Sequence, residues 1–217
     1  MARIGTILAM LVLLTGFTSA TQVSMQLVRF DGPSAGGANT SNGVYVYPYY
    51  FSIDGSSYPN LTALLCDTYD NEVWQNESWL ANQVTVASLV GGPNGQKYIE
   101  AAWLFWHMGT DPTPAQAATY NFAVWGLFSP NALNSPGYAA TGAASVLPTP
   151  DQLVGFDYSD YYVYIPIDGT AMLNGQHIGN TPQEFIGYLP PSQTPEPATL
   201  ALLGTGFFAM ALKLHRR

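Results

Sequence analysis

The sequence predicts a mainly β body, a barrel or a sandwich, with two central α-helices, flanked by an N-terminal signal helix and a short C-terminal transmembrane helix. Three observations lead there. Runs of β-branched and aromatic residues separated by Gly, Pro, Asn and Asp fill both halves of the interior. Two central stretches carry apolar residues at helical spacing. Each end is an apolar run beside positive charge.

Taken in order, residues 22–30 mix apolar and polar side chains as a strand does, and 31–43 (DGPSAGGANTSNG) are turn-rich. Residues 44–53 (VYVYPYYFSI) form a second strand region, in which Pro48 marks an edge or a break because it has no N–H for the ladder. Residues 61–69 (LTALLCDTY) are a third, with Cys66 near the end. In 96–108 (QKYIEAAWLFWHM), Ile99, Ala102, Trp103 and Trp106 recur at helical spacing, which predicts a buried helix. Beyond Gly109, Thr113 is a helix N-cap with Pro114 at the first helical position, and Ala118, Phe122, Trp125 and Phe128 repeat at threes and fours. This second helix should end near Ser129-Pro130, and the pair should plug one end of a barrel or cover one sheet face. Residues 129–152 read as a loop and 154–167 (VGFDYSDYYVYIPI) as strand, with a turn at Asp168-Gly169. A last strand at 185–189 leads into PPSQTPEP, an extended proline-rich linker.

With 217 residues the chain has room for one ordinary domain and two end segments. Only 9% of residues are charged, against about a quarter in an average soluble protein, yet 47% are hydrophobic, so the body can bury a core. The net charge of -8, with no basic patch, excludes nucleic acid as a partner. Residues 21–195 hold 13 acids and two bases, Arg29 and Lys97. That balance favours solubility and disfavours anionic lipid or acidic polysaccharide unless cations bridge; neutral glycans remain open.

The ends read as addresses. Met1, Ala2 and Arg3 precede the apolar run 7–14 (ILAMLVLL), and Thr18, Ser19 and Ala20 offer a small-residue cleavage site. Eight apolar residues fall far below the roughly 20 that span a membrane, so a signal peptide removed after Ala20 is expected rather than an anchor. At the other end, Pro195-Glu196-Pro197 precedes the apolar run 198–212 and a basic tail containing Lys213, Arg216 and Arg217. This run is also short for a span, although Lys213 can snorkel and add about a turn. The two prolines keep the junction extended and open to a protease just outside the bilayer.

On Pro195, Glu196 and Pro197, the hydrophobic run and the basic end, the tail resembles the PEP-CTERM sorting signal of exported proteins in Gram-negative bacteria that make exopolysaccharide. The resemblance implies signal peptidase and an exosortase-type protease as processing partners and transient residence in the inner membrane. It further implies a final place at the cell surface or in the extracellular matrix, and exopolysaccharide as a partner. The expected division is signal peptide 1–20, exported β-rich domain 21–190, and linker with sorting segment 191–217.

Within the body, Leu65-Cys66 and the segment Tyr120 to Trp125 (YNFAVW) resemble the thioester domains of bacterial surface adhesins, where a Cys and a Gln on a Thr-Gln-x-Ala-apolar-Trp helix condense. Ala123, Val124 and Trp125 match that pattern, whereas Tyr120 and Asn121 stand in place of Thr and Gln. The resemblance implies Cys66 and Asn121 as the reacting pair. Asn is one methylene shorter than Gln, and a lone cysteine that cannot form an internal disulfide reads by itself as a small buried hydrophobe.

Acids cluster at Asp67, Asp70 and Glu72 and again at Asp157, Asp160 and Asp168, without the spacing of a calcium loop. His107, His177 and His215 lack metal-ligand spacing. No nucleophile elbow, phosphate loop or dinucleotide fingerprint occurs, so no catalytic, cofactor-binding or metal-binding residue, no cofactor and no enzymatic activity are expected. The tyrosines of Tyr45-Val46-Tyr47 and Tyr161-Tyr162-Val163-Tyr164 either stack sugars on an outer face or fill an inner one, the inner placement being preferred. The function expected is thus that of an exported envelope or matrix protein, structural or adhesive. A thioester-like adhesin or a glycan-binding module is the alternative.

Overall fold

The computed structural model describes residues 20–30 and 40–189. The N-terminal signal segment, most of the 31–43 turn region and the whole sorting tail lie outside the described residues. The chain divides into two compact units, Met1–Gly187 and Tyr188–Arg217.

The body is a barrel, not a sandwich. Six strands close a ring: β1 (Thr21–Arg29), β4 (Tyr49–Ile53), β5 (Thr62–Cys66), β10 (Phe185–Tyr188), β7 (Tyr161–Pro166) and β6 (Ser78–Thr85), the last pairing back to β1. Closure leaves no open edge in the ring. Alternation in β1 explains its side of the wall, since Val23, Met25 and Leu27 are buried while Gln22, Ser24 and Gln26 are exposed. The interior identifies itself by ring contacts between strands that are not neighbours. Phe51 of β4, Trp79 of β6 and Phe185 of β10 sit 4.6 to 6.2 Å apart, which is possible only across the lumen. A barrel of so few strands has room for side chains and little else.

Two small hairpins decorate the ring. β2 (Thr40–Ser41) pairs with β3 (Val44–Tyr45), and β8 (Met172–Leu173), which also touches β6, pairs with β9 (Gln176–His177). Both turn on Asn-Gly with positive φ at each residue, 51° and 81° at Asn42-Gly43 and 51° and 77° at Asn174-Gly175. That conformation matches strand twist and is open chiefly to these two residue types.

Between β6 and β7 the chain builds α1 (Val86–Leu89), α2 (Gly95–Met108), α3 (Pro114–Phe128), α4 (Pro130–Leu133), α5 (Pro136–Ala140), a 3₁₀ turn (Ala143–Val146) and α6 (Pro150–Leu153). The α3 start follows its sequence signal: Gln116 N–H donates to Thr113 Oγ1 at 3.3 Å while Thr113 N–H donates to Gln116 Oε1 at 3.0 Å. α3 packs against α2, β5 and the short helices after it.

Several expectations change. Residues 129–152 are mostly short helices rather than loop. Ser129, Ser135 and Thr149 each stand before a proline at the first helical position, a start signal repeated three times within a composition that otherwise reads as loop. Strand structure in 154–167 begins only at Tyr161. β6, which the apolar count does not single out, is central, because its backbone pairs with both β1 and β7. α2 is not buried all round, for Trp106 is 56% exposed. Among the described residues no helix is long and apolar enough to cross a membrane, and both expected end helices lie outside them.

Candidate functional site

β5 ends at Cys66, and α3 sets Asn121 and Trp125 one helical turn apart on the face that meets it. All three are buried. Asn121 therefore adjoins Cys66, but through the main chain: its Nδ2 donates to the Cys66 carbonyl at 3.0 Å. Its Oδ1 accepts the Tyr47 N–H at 2.8 Å. The carboxamide is thus a bracket joining β5 to the segment between β3 and β4, and both of its polar ends are engaged with backbone.

The sulfur faces other partners. Trp125 Nε1 donates to Cys66 Sγ at 3.4 Å, and the thiol donates to the Thr68 carbonyl at 3.2 Å. Burial, and then the nearby Asp67, push the thiol well above its ordinary range, so the nucleophilic thiolate is suppressed. Tyr69 closes this node from outside, its ring 5.3 Å from that of Trp125.

The residues that complete the neighbourhood are far away in sequence. Asp67 N–H donates to the Glu184 carbonyl, Glu184 N–H to Thr68 Oγ1, and Tyr98 of α2 donates to Glu184 Oε1 at 2.8 Å. Gln183 Nε2 donates to the Thr68 and Asn71 carbonyls. Neither Tyr98 nor Glu184 carries a motif, and no sequence signal joins them to position 67.

The other acids disperse. Asp70 accepts from Asn131 Nδ2 at 2.7 Å, Asp157 from the Ser159 N–H, and Asp168 from Thr181 Oγ1. Among the described residues no group of three or more His, Cys, Asp or Glu is arranged to hold a metal ion. His177 is exposed on β9, and His107 is exposed with its ring stacked on Trp103 at 4.5 Å.

Of the tyrosines, Tyr47, Tyr161 and Tyr164 are buried, Tyr162 is half-buried and Tyr45 is exposed. An aromatic row lies elsewhere, exposed at Trp106 and half-buried at Phe156 and Tyr158. Trp106 is 5.8 Å from Phe156, which is 6.4 Å from Tyr158, with the 82% exposed Val154 close in sequence. Ala20 is exposed immediately before β1. Pro195, Glu196, Pro197, Lys213, Arg216 and Arg217 lie outside the described residues.

The PEP-CTERM protein-sorting motif matches residues 193–217. The chain is thus an exported protein that passes through the membrane and is sorted by an exosortase-type enzyme. No curated protein and no solved structure matches it.

Proposed function

We propose that the barrel is the delivered cargo, a non-enzymatic structural or adhesive module of the cell envelope or exopolysaccharide matrix, released or displayed after processing at its tail. The observation that carries this reading is the sorting motif at 193–217, joined by a proline-rich linker to a folded body with its own core. Signal peptidase acting after Ala20 completes the proposed route, which ends at the cell surface or in the matrix of a Gram-negative bacterium. The test is to express the tagged gene in a host with the exosortase and in one lacking it, then compare intact masses. Loss of the residues beyond the Pro195-Glu196-Pro197 region only in the first host supports the route; identical C-termini contradict it.

Adhesion has one specific observation behind it, the exposed Trp106 with the half-buried Phe156 and Tyr158 rings in a row beside it. Apolar sugar faces stack on such rings, and the acidic body favours neutral over acidic glycans. Retention on a neutral glycan array that Trp106→Ala abolishes supports this mode, and no retention removes it.

The adjacency of Cys66 and Asn121 keeps a thioester-like adhesin as the second reading. Condensation joins Cys66 Sγ to the Asn121 carboxamide carbon and expels ammonia, lowering the mass by about 17 Da, and methylamine would then add across the bond. A full-mass protein indifferent to methylamine rejects it.

A further inference from the structure

Asp67 is 1% exposed, and its partner is a second acid. Its N–H donates to the Glu184 carbonyl at 3.2 Å, which sets the two carboxyls side by side; Glu184 is half-buried at the entry of β10. Around them the bonds run in a circuit. Thr68 Oγ1 donates to Asp67 Oδ1 at 3.2 Å and accepts the Glu184 N–H at 3.1 Å, while Tyr98 O–H reaches Glu184 Oε1 from α2 at 2.8 Å. Among the described residues Asp67 Oδ2 is buried with no hydrogen-bond partner. An ionised carboxylate oxygen so placed would be costly, and a hydroxyl donating to Glu184 would not.

The groups that act on the pair are Thr68 and Cys66 beside it on the chain and Tyr98 on α2; Tyr49 of β4 bears on Cys66 in turn. None of them is a cation. Two carboxylates in contact without a counter-ion cannot both ionise, because burial removes the water that would screen their repulsion.

We infer that Asp67 and Glu184 hold one proton between them, forming a clasp that ties the end of β5 to the entry of β10 and to α2, and that loosens as the surrounding pH rises. Burial pushes both carboxyls above the usual carboxylate range, and for Asp67 the Glu184 charge adds to the effect. An acid shifted upward binds more protons folded than unfolded. Its contribution is complete below the unfolded value of about 4 and is lost as pH climbs from there through the folded value. An exported protein meets ambient pH directly, so the clasp makes the barrel firmest in an acidic exterior.

Thermal unfolding of the full chain from about pH 4.5 to about pH 8.5, beside Asp67→Asn and Glu184→Gln, tests this. An Asn at 67 supplies a permanent N–H donor to Glu184. The wild-type midpoint should fall across that range by about 3–6 °C relative to Asp67→Asn, with the variant outlasting wild type at the alkaline end. Parallel curves overturn the inference. So does millimolar calcium that raises the wild-type midpoint at high pH but not that of the variant, since a cation would then bridge the pair. Should a variant fail to fold, the Asp67 carboxyl ¹³C shift of the wild type decides: a protonated shift through neutral pH supports the shared proton, and an ordinary titration near pH 4 overturns it.

Discussion

α2 and α3 are neighbours of nearly equal length, each with tryptophan in its C-terminal half, yet they do opposite things with it. In α3, Trp125 is buried among Phe122, Tyr69 and the Cys66 thiol, and its indole N–H is used by the sulfur. In α2, Trp106 stands more than half exposed while the next turn down buries Trp103. α3 is enclosed because β5, α2 and the Ser-Pro helices cover it on several sides, whereas α2 keeps one free face. The same residue type is thus a packing element in one helix and a surface feature in its neighbour, and only the surroundings tell them apart.

The sharpest way to break this comparison is to make one substitution in both helices. Trp125→Ala should cost about 3–5 kcal/mol in urea unfolding, because it empties a core site and strips the thiol of its donor. A loss under 1 kcal/mol would mean α3 is not the covered helix described. Next in size is Asn121→Ala, which strands the Tyr47 N–H and the Cys66 carbonyl away from water and should cost about 2–4 kcal/mol. Hydrogen exchange at the Tyr47 amide gives a local check, since its protection should fall more than that of β1.

Cys66 gives an effect read as a rate. With the thiol held protonated by burial, alkylation of the native protein should be negligible at neutral and mildly alkaline pH and become rapid in unfolding urea. Fast native labelling would show that the node opens. The smallest effect belongs to Trp106→Ala, which should shift stability by no more than about 0.5 kcal/mol while removing any glycan retention. A large destabilisation there would place Trp106 in the core and sink the adhesive reading.

Much of this fold is legible residue by residue. Thr113 and Pro114 mark the start of α3, Pro48 interrupts the 44–53 region between β3 and β4, and the alternation in 22–30 gives β1 its two faces. These signals are local, set by one residue's dihedral freedom or by a period of two. The Ser-Pro and Thr-Pro pairs at 129, 135 and 149 carry the same kind of local information, submerged in a Gly, Ala and Ser background. That Cys66 and Asn121 adjoin is set by the packing of α3 on β5, and the partners at 47 and 66 are both backbone groups, so the amide is a bracket between segments.

By itself the sequence determined how this protein is sorted, because a sorting tail is read as a linear string of tripeptide, apolar run and cations, and it placed β1, β5, β10 and the two long helices. Tertiary structure alone decided that six strands close into a ring, that Asp67 meets Glu184 rather than Asp70, and which tryptophan is wet. The physical reason is range: caps, turns and alternation depend on neighbours a few residues away, whereas burial and carboxyl pairing depend on which distant segments the barrel brings together.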